Sequence, residues 1–214
     1  VGITRAIVSG NNNQLTTPGG GTLEVVQGSG NILIANGAGA VLRSDSGSNT
    51  LEALNGGDTL FGGSGADILQ GGGNDDVLTA GSGANTLIAY GSASTLTAGS
   101  GADILTGSGQ NDVLIGGGGN STLTSYGANS TLVGGAGTSV LIASGAGDVL
   151  LGGSGQNTLT ALGSNETLTG GSGTSTLVGN VNGNTLKAGT GTTVASYSAN
   201  NLALNLVNGT ASVS

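Results

Sequence analysis

The chain has 214 residues, of which 47 are glycine and one is proline, which excludes a collagen-type repeat; at 36% hydrophobic and 2% aromatic residues, its core must be a thin aliphatic layer. Three basic against eleven acidic residues give a net charge of −8, with no cysteine and no histidine, so phosphate-backbone binding, thiolate or imidazole catalysis and zinc sites of the usual ligand types are excluded. No apolar run reaches the roughly 18 residues a membrane-spanning helix needs, and Arg5, Arg43 and Lys187 are the only cations.

Taken in chain order, residues 1–25 predict a strand-rich N-terminal cap. The chain opens at Val1 with no signal-like segment, so the expectation is a mature form or an excised fragment. From residue 26 to 187 a strict repeat takes over. Leucine recurs every nine residues from Leu33 to Leu186, eighteen times without exception. The residue before each leucine is Ile, Val or Thr, the β-branched types that suit a pleated strand. Between these triplets lie Gly, Ser, Asn and Asp, the residues of tight turns.

A second period, of 18, distinguishes alternate turns. Gly47, Gly65, Gly83 and their successors to Gly173 stand four before a leucine, whereas Gly73, Gly91, Gly109, Gly127, Gly145 and Gly163 stand five before. The simplest object with that property is a flattened solenoid, all-β, with 18 residues per coil and two parallel sheets whose leucines meet inside. Nine coils at about 4.8 Å each predict a rod on the order of 43 Å long. Residues 188–214 predict a strand-rich closing segment. A third period, of 36, places Leu54, Tyr90, Tyr126 and Leu162 at one turn, where they are expected as hydrophobic plugs.

The segment GGSGADILQ, residues 62–70, fits the GGxGxDxUx pattern, and over residues 26–186 the chain resembles the RTX (hemolysin-type) nonapeptide-repeat β-rolls. The closing stretch TTVASYSANNLALNLVNGTA is similar to the segment that often follows such rolls. The resemblance implies calcium held between neighbouring coils by backbone carbonyls and the motif aspartate, and export from Gram-negative bacteria by type I machinery.

The motif aspartate falls two residues before the leucine, here termed the corner. Preceding the odd-numbered repeats, counted from Leu33, the corners are Asn31, Asn49, Asp67, Asn85, Asp103, Ser121, Ser139, Asn157 and Ser175; preceding the even-numbered ones they are Ala40, Asp58, Asp76, Ser94, Asp112, Ser130, Asp148, Glu166 and Asn184. Two nearby anions hold a divalent ion best, and successive coils supply them at Asp58 with Asp76 and at Asp148 with Glu166. Asp67, Asp103 and Asp112 are isolated candidates, of which Asp67 and Asp103 serve equally as solvated turn residues, and Asp45 and Asp75 lie outside the corner. Zero to two Ca2+ ions are therefore expected.

The function these readings favour is a non-catalytic structural module of a secreted or cell-surface bacterial protein, an adhesin stalk, matrix or fibre-forming subunit largely independent of calcium. The alternative is the calcium-binding secretion and folding module of an RTX exoenzyme. The outer faces carry Ile34, Ile88, Ile142 and Val178 on one sheet and Ile115, Val133 and Leu151 on the other, almost without charge. Self-association end to end or side by side is the expected partnership, with no nucleic acid and no membrane insertion.

Overall fold

In a computed structural model, which describes residues 5–19, 21–197, 203–205 and 210–211, the leucine period winds into a two-sheet solenoid with no helix among the described residues. Each nonapeptide is a short strand and a turn, as in Thr86–Ala89 followed by Thr95–Thr97. The 18-residue coil shows directly in the register. Leu69, Leu87 and Leu105 stack in one sheet, and Leu78, Leu96 and Leu114 stack in the other.

All pairings are parallel and each sheet has twelve strands. One sheet begins with Arg5–Ser9 and the other with Gln14–Thr17; they are called the first and second sheet. The stack thus runs beyond the nine expected coils, because strands from both flanking segments continue the sheets, and eleven spacings give a rod of about 53 Å. Registers slip only near the ends, as between Val8 and Ser9. Of the closing segment, Ala203–Asn205 and Thr210–Ala211 join the sheets, and the rest beyond Tyr197 lies outside the described residues.

Strand alternation sends every second side chain inward. The leucines of the nine-residue period, Leu33 to Leu186, and Leu23 before them are at most 1% exposed, and Ala35, Ala53, Ala89, Ala143 and Ala161, two residues past a leucine, are fully buried beside them. Near the C-terminus Ala195 takes the leucine's place, pairing with Leu177. Tyr197 then turns inward against Gly179, and its hydroxyl donates to the Val181 carbonyl at 2.9 Å. One aromatic ring fills what a missing leucine leaves.

The same alternation overturns one expectation. Leu54, Tyr90, Tyr126 and Leu162 are not plugs; they are 48%, 54%, 61% and 46% exposed. Each lies three residues after a leucine, and an odd separation points outward.

Two constraints shape the turn that carries this row. Its glycines five before the leucine serve close stacking: a Cβ at Gly91 or Gly109 would run into the carbonyl of the glycine one coil earlier. The left-handed position is instead three before the leucine, where Asp75, Ala93, Asn111, Asn129 and Asn165 all have φ between 59° and 61°, and Gly57 and Gly147 have 74° and 77°.

Candidate metal site at the coil corners

Because a corner lies two residues before a leucine, its side chain points into the coil, and all the corner residues from Asn31 to Asn184 are buried. A buried polar side chain needs a partner, and the neighbouring coil supplies one. On the even edge the Ala40 amide donates to Asp58 Oδ1 at 2.6 Å and the Asp58 amide to Asp76 Oδ1 at 2.9 Å. The Asp76 amide donates to Ser94 Oγ, Ser94 to Asp112, Asp112 to Ser130, and Ser130 to Asp148. The result is a file of rungs, each joining one coil's corner amide to the next coil's corner side chain. Glu166, one methylene longer, departs from it: its Oε1 accepts from the Gly163 amide of its own turn. The rungs resume where the Glu166 amide donates to Asn184.

The odd edge begins in the same way and then changes. Asn31, Asn49, Asp67 and Asn85 accept from the preceding corner amide, and Asp67 Oδ1 also accepts from the Ser44 hydroxyl at 3.0 Å. From Ser139 onward the corner side chain instead caps its own turn four residues back: Ser139 accepts from Gly135, Asn157 from Gly153, Ser175 from Gly171 and Thr193 from Gly189. The corner amides there donate to backbone carbonyls of the next coil, as Ser139 does to Gln156. Asp103 joins both arrangements, with Oδ1 accepting from Asn85 and Oδ2 from Gly99.

These bonds sort the candidate ligands. One oxygen of Asp58, Asp67, Asp76, Asp112, Asp148 and Glu166 is buried with no hydrogen-bond partner. Asp103 accepts hydrogen bonds on both oxygens, so neither is orphaned. Asp67 has Asn49 and Asn85 as corner neighbours on its edge, and Asp112 has Ser94 and Ser130. Only Asp58 with Asp76, and Asp148 with Glu166, bring orphaned carboxylate oxygens to successive coils on one edge. That donor set of hard, anionic oxygens fits calcium. No group of three or more acidic, histidine or cysteine side chains gathers anywhere among the described residues, so backbone carbonyls or water must complete any such site.

Seven of the eleven acids are thus buried at corners. One ion pair, Arg43 with Asp45 at 3.4 Å, lies on the surface. Burial raises the carboxyl of Asp58, partly offset by the amides of Ala40 and Gly39. It raises Asp112 and Asp148 in the same way. It pushes Asp67 up to about 6, and Asp76 up to about 6 with the Asp58 charge adding to the effect. Glu166 is pushed up to about 8, again by burial first, with the Asp148 charge adding. In each of the two pairs the charge of the earlier carboxylate adds to the shift of the later one, Asp58 on Asp76 and Asp148 on Glu166, with Asp75 adding on Asp76 as well.

Residues 43–78, 52–87, 88–123, 124–159, 142–177 and 160–193 match the RTX calcium-binding nonapeptide repeat (four copies). No curated protein and no solved structure matches the chain.

Proposed function

The chain belongs to the RTX calcium-binding nonapeptide-repeat family, and from that premise we propose that it is a non-catalytic structural β-roll of a secreted or cell-surface bacterial protein, binding at most two calcium ions. The observation that carries this reading is the file of amide-to-side-chain rungs at the corners. Asn, Ser and Asp accept the same amide bond in turn, so successive coils are joined there without a metal. Calcium at a carboxylate pair supplies the positive charge that two buried anions about 4.8 Å apart lack. The chain's own residues align the paired oxygens and leave one on each carboxylate free.

Export is supported by the family. A mechanical or scaffolding role is supported by repeats that carry neither histidine nor cysteine. Such a roll serves as spacer, stalk or fibre segment.

Calcium titration followed by calorimetry and native mass spectrometry tests the reading on the wild type, Asp58→Asn/Asp76→Asn and Glu166→Gln. The expected result is one or two ions, the first lost in the double variant, with β-type circular dichroism retained in excess chelator. Three or more ions, binding unchanged in the double variant, or a chain that is disordered until calcium is added would overturn it.

A further inference from the structure

Half of the four aromatic residues of this chain, Tyr90 and Tyr126, stand exposed on the even edge in line with Leu54 and Leu162. Two coils, about 9.6 Å, separate each from the next. The intervening positions of the row are small: Gly72, Ser108 and Ser144. Asn36 and Asn180 close the two ends. The row therefore alternates large apolar with small residues, and its order, Asn, Leu, small, Tyr, Ser, Tyr, small, Leu, Asn, is the same from either end.

We propose that this row is a homotypic docking edge, along which two copies of the chain pair antiparallel about a twofold axis lying midway between the Tyr90 and Ser108 levels. In that register both tyrosines and Leu54 meet small residues, and Leu162 meets the polar end of the row. Tyr90 faces Ser108 of the second copy and Tyr126 faces Gly72, while Leu54 faces Ser144 and Leu162 faces Asn36. The twofold makes each contact occur twice, which closes the pair. A second copy is the occupant because the row's holes and knobs follow the coil spacing itself, and another stack of the same coils presents the matching period.

Charge permits the approach. On the turns of this edge the acids at the corners are buried, and Asp75 is the one exposed charge among them. In the proposed register Asp75 lies opposite the turn of Tyr126 to Ser130, which carries no charge. A chain of net charge −8 has here an edge on which like charges do not meet.

The area sets the strength. With about half of each side chain open, the four contribute roughly 400 Å² per copy, or about 800 Å² for the pair, below the ~1,200–2,000 Å² of a stable interface. The pair is accordingly weak, with a dissociation constant on the order of 10 to 500 µM, and gains strength where many copies are tethered together.

Sedimentation velocity across that concentration range tests the proposal. The wild type shifts from monomer to dimer, in chelator as in calcium. Tyr90→Ser/Tyr126→Ser, which changes only exposed side chains, keeps the circular dichroism and weakens the association at least 10-fold; Ser108→Tyr, which fills a hole, does the same. Because the chain has no cysteine, a spin label at Ser154→Cys, exposed on the odd edge and clear of the row, reports the register. Antiparallel copies hold the two labels about six coils apart, about 29 Å along the rod, whereas a parallel pair staggered by one coil brings them to within about 5 Å along it. A monomer at every concentration, a dimer indifferent to both variants, or the short label separation would overturn the proposal.

Discussion

Raising the pH from 5 to 8 in excess chelator should destabilise the fold, the opposite of ordinary acid denaturation. Asp67 and Asp76 hold their protons to about 6 and Glu166 to about 8, whereas the unfolded chain releases them near 4. Between those limits the folded state binds more protons than the unfolded state, so stability is complete below about pH 4 and drains away as each folded value is passed. Near pH 5 the three groups hold between about two and three extra protons, each worth about 1.4 kcal/mol per pH unit. Above about pH 6 only Glu166 still contributes, so the slope averaged from pH 5 to 8 is about 2 kcal/mol per pH unit, a large share of a total stability of about 5–15 kcal/mol. Urea unfolding followed by far-ultraviolet circular dichroism at pH 5, 6.5 and 8 measures it. Saturating calcium should flatten most of the slope and leave the part due to Asp67, which has no acidic corner neighbour. A midpoint that stays level or rises between pH 5 and 8 in chelator would refute the assignment of protons to the buried corners.

Asp67→Asn should raise stability at pH 8 in chelator and reduce the pH slope, since Asn85 fills the equivalent corner and accepts the same amide bond; the same urea series reads both effects. Ala93→Asn should stabilise by about 0.5 to 1 kcal/mol, because Ala93 holds φ 60° where Asn111, Asn129 and Asn165 hold the same angle and alanine tolerates it poorly. Gly99→Ala should cost more than about 3 kcal/mol, since its Cβ would enter the Gly81 carbonyl, whereas Gly118→Ala, with nothing within 4 Å, should be neutral within about 0.5 kcal/mol; paired thermal melts distinguish them. Leu105→Ala, at a fully buried position, should lose about 2 to 5 kcal/mol.

The leucine period of nine gives the strands and their inward face, and the glycine period of 18, by making alternate turns unlike, gives the coil length and the two parallel sheets. The corners are equally accessible to counting: Asp58 with Asp76 and Asp148 with Glu166 are neighbours on one edge in the sequence and are the pairs with orphaned oxygens in the structure. Tyr90 could have been placed correctly by the same parity, being three residues past Leu87, but a large apolar side chain among glycines invites the assumption of burial. The change of turn along the odd edge is harder to read. It depends on whether the corner side chain accepts the preceding corner amide or one four residues back, and its one trace in the sequence is the change from Asn and Asp at residues 31–103 to Ser, Asn and Thr at residues 121–193. The second role of Asp103 follows from that change, and one residue type at one corner does not announce it.

Each even-edge rung runs one way, from the amide of one coil to the side chain of the next, and this gives the rod a polarity. At these rungs a coil's corner amide is completed by the coil that follows it in the chain. Parting the rod between two coils exposes unlike surfaces, a bare donor on the N-terminal piece and a bare acceptor on the C-terminal piece. The seam between Asp148 and Glu166 is different, because Glu166 spends its Oε1 on its own Gly163. Parting the coils there breaks no corner rung on the even edge, and a division of this roll into shorter independent lengths loses least at that level.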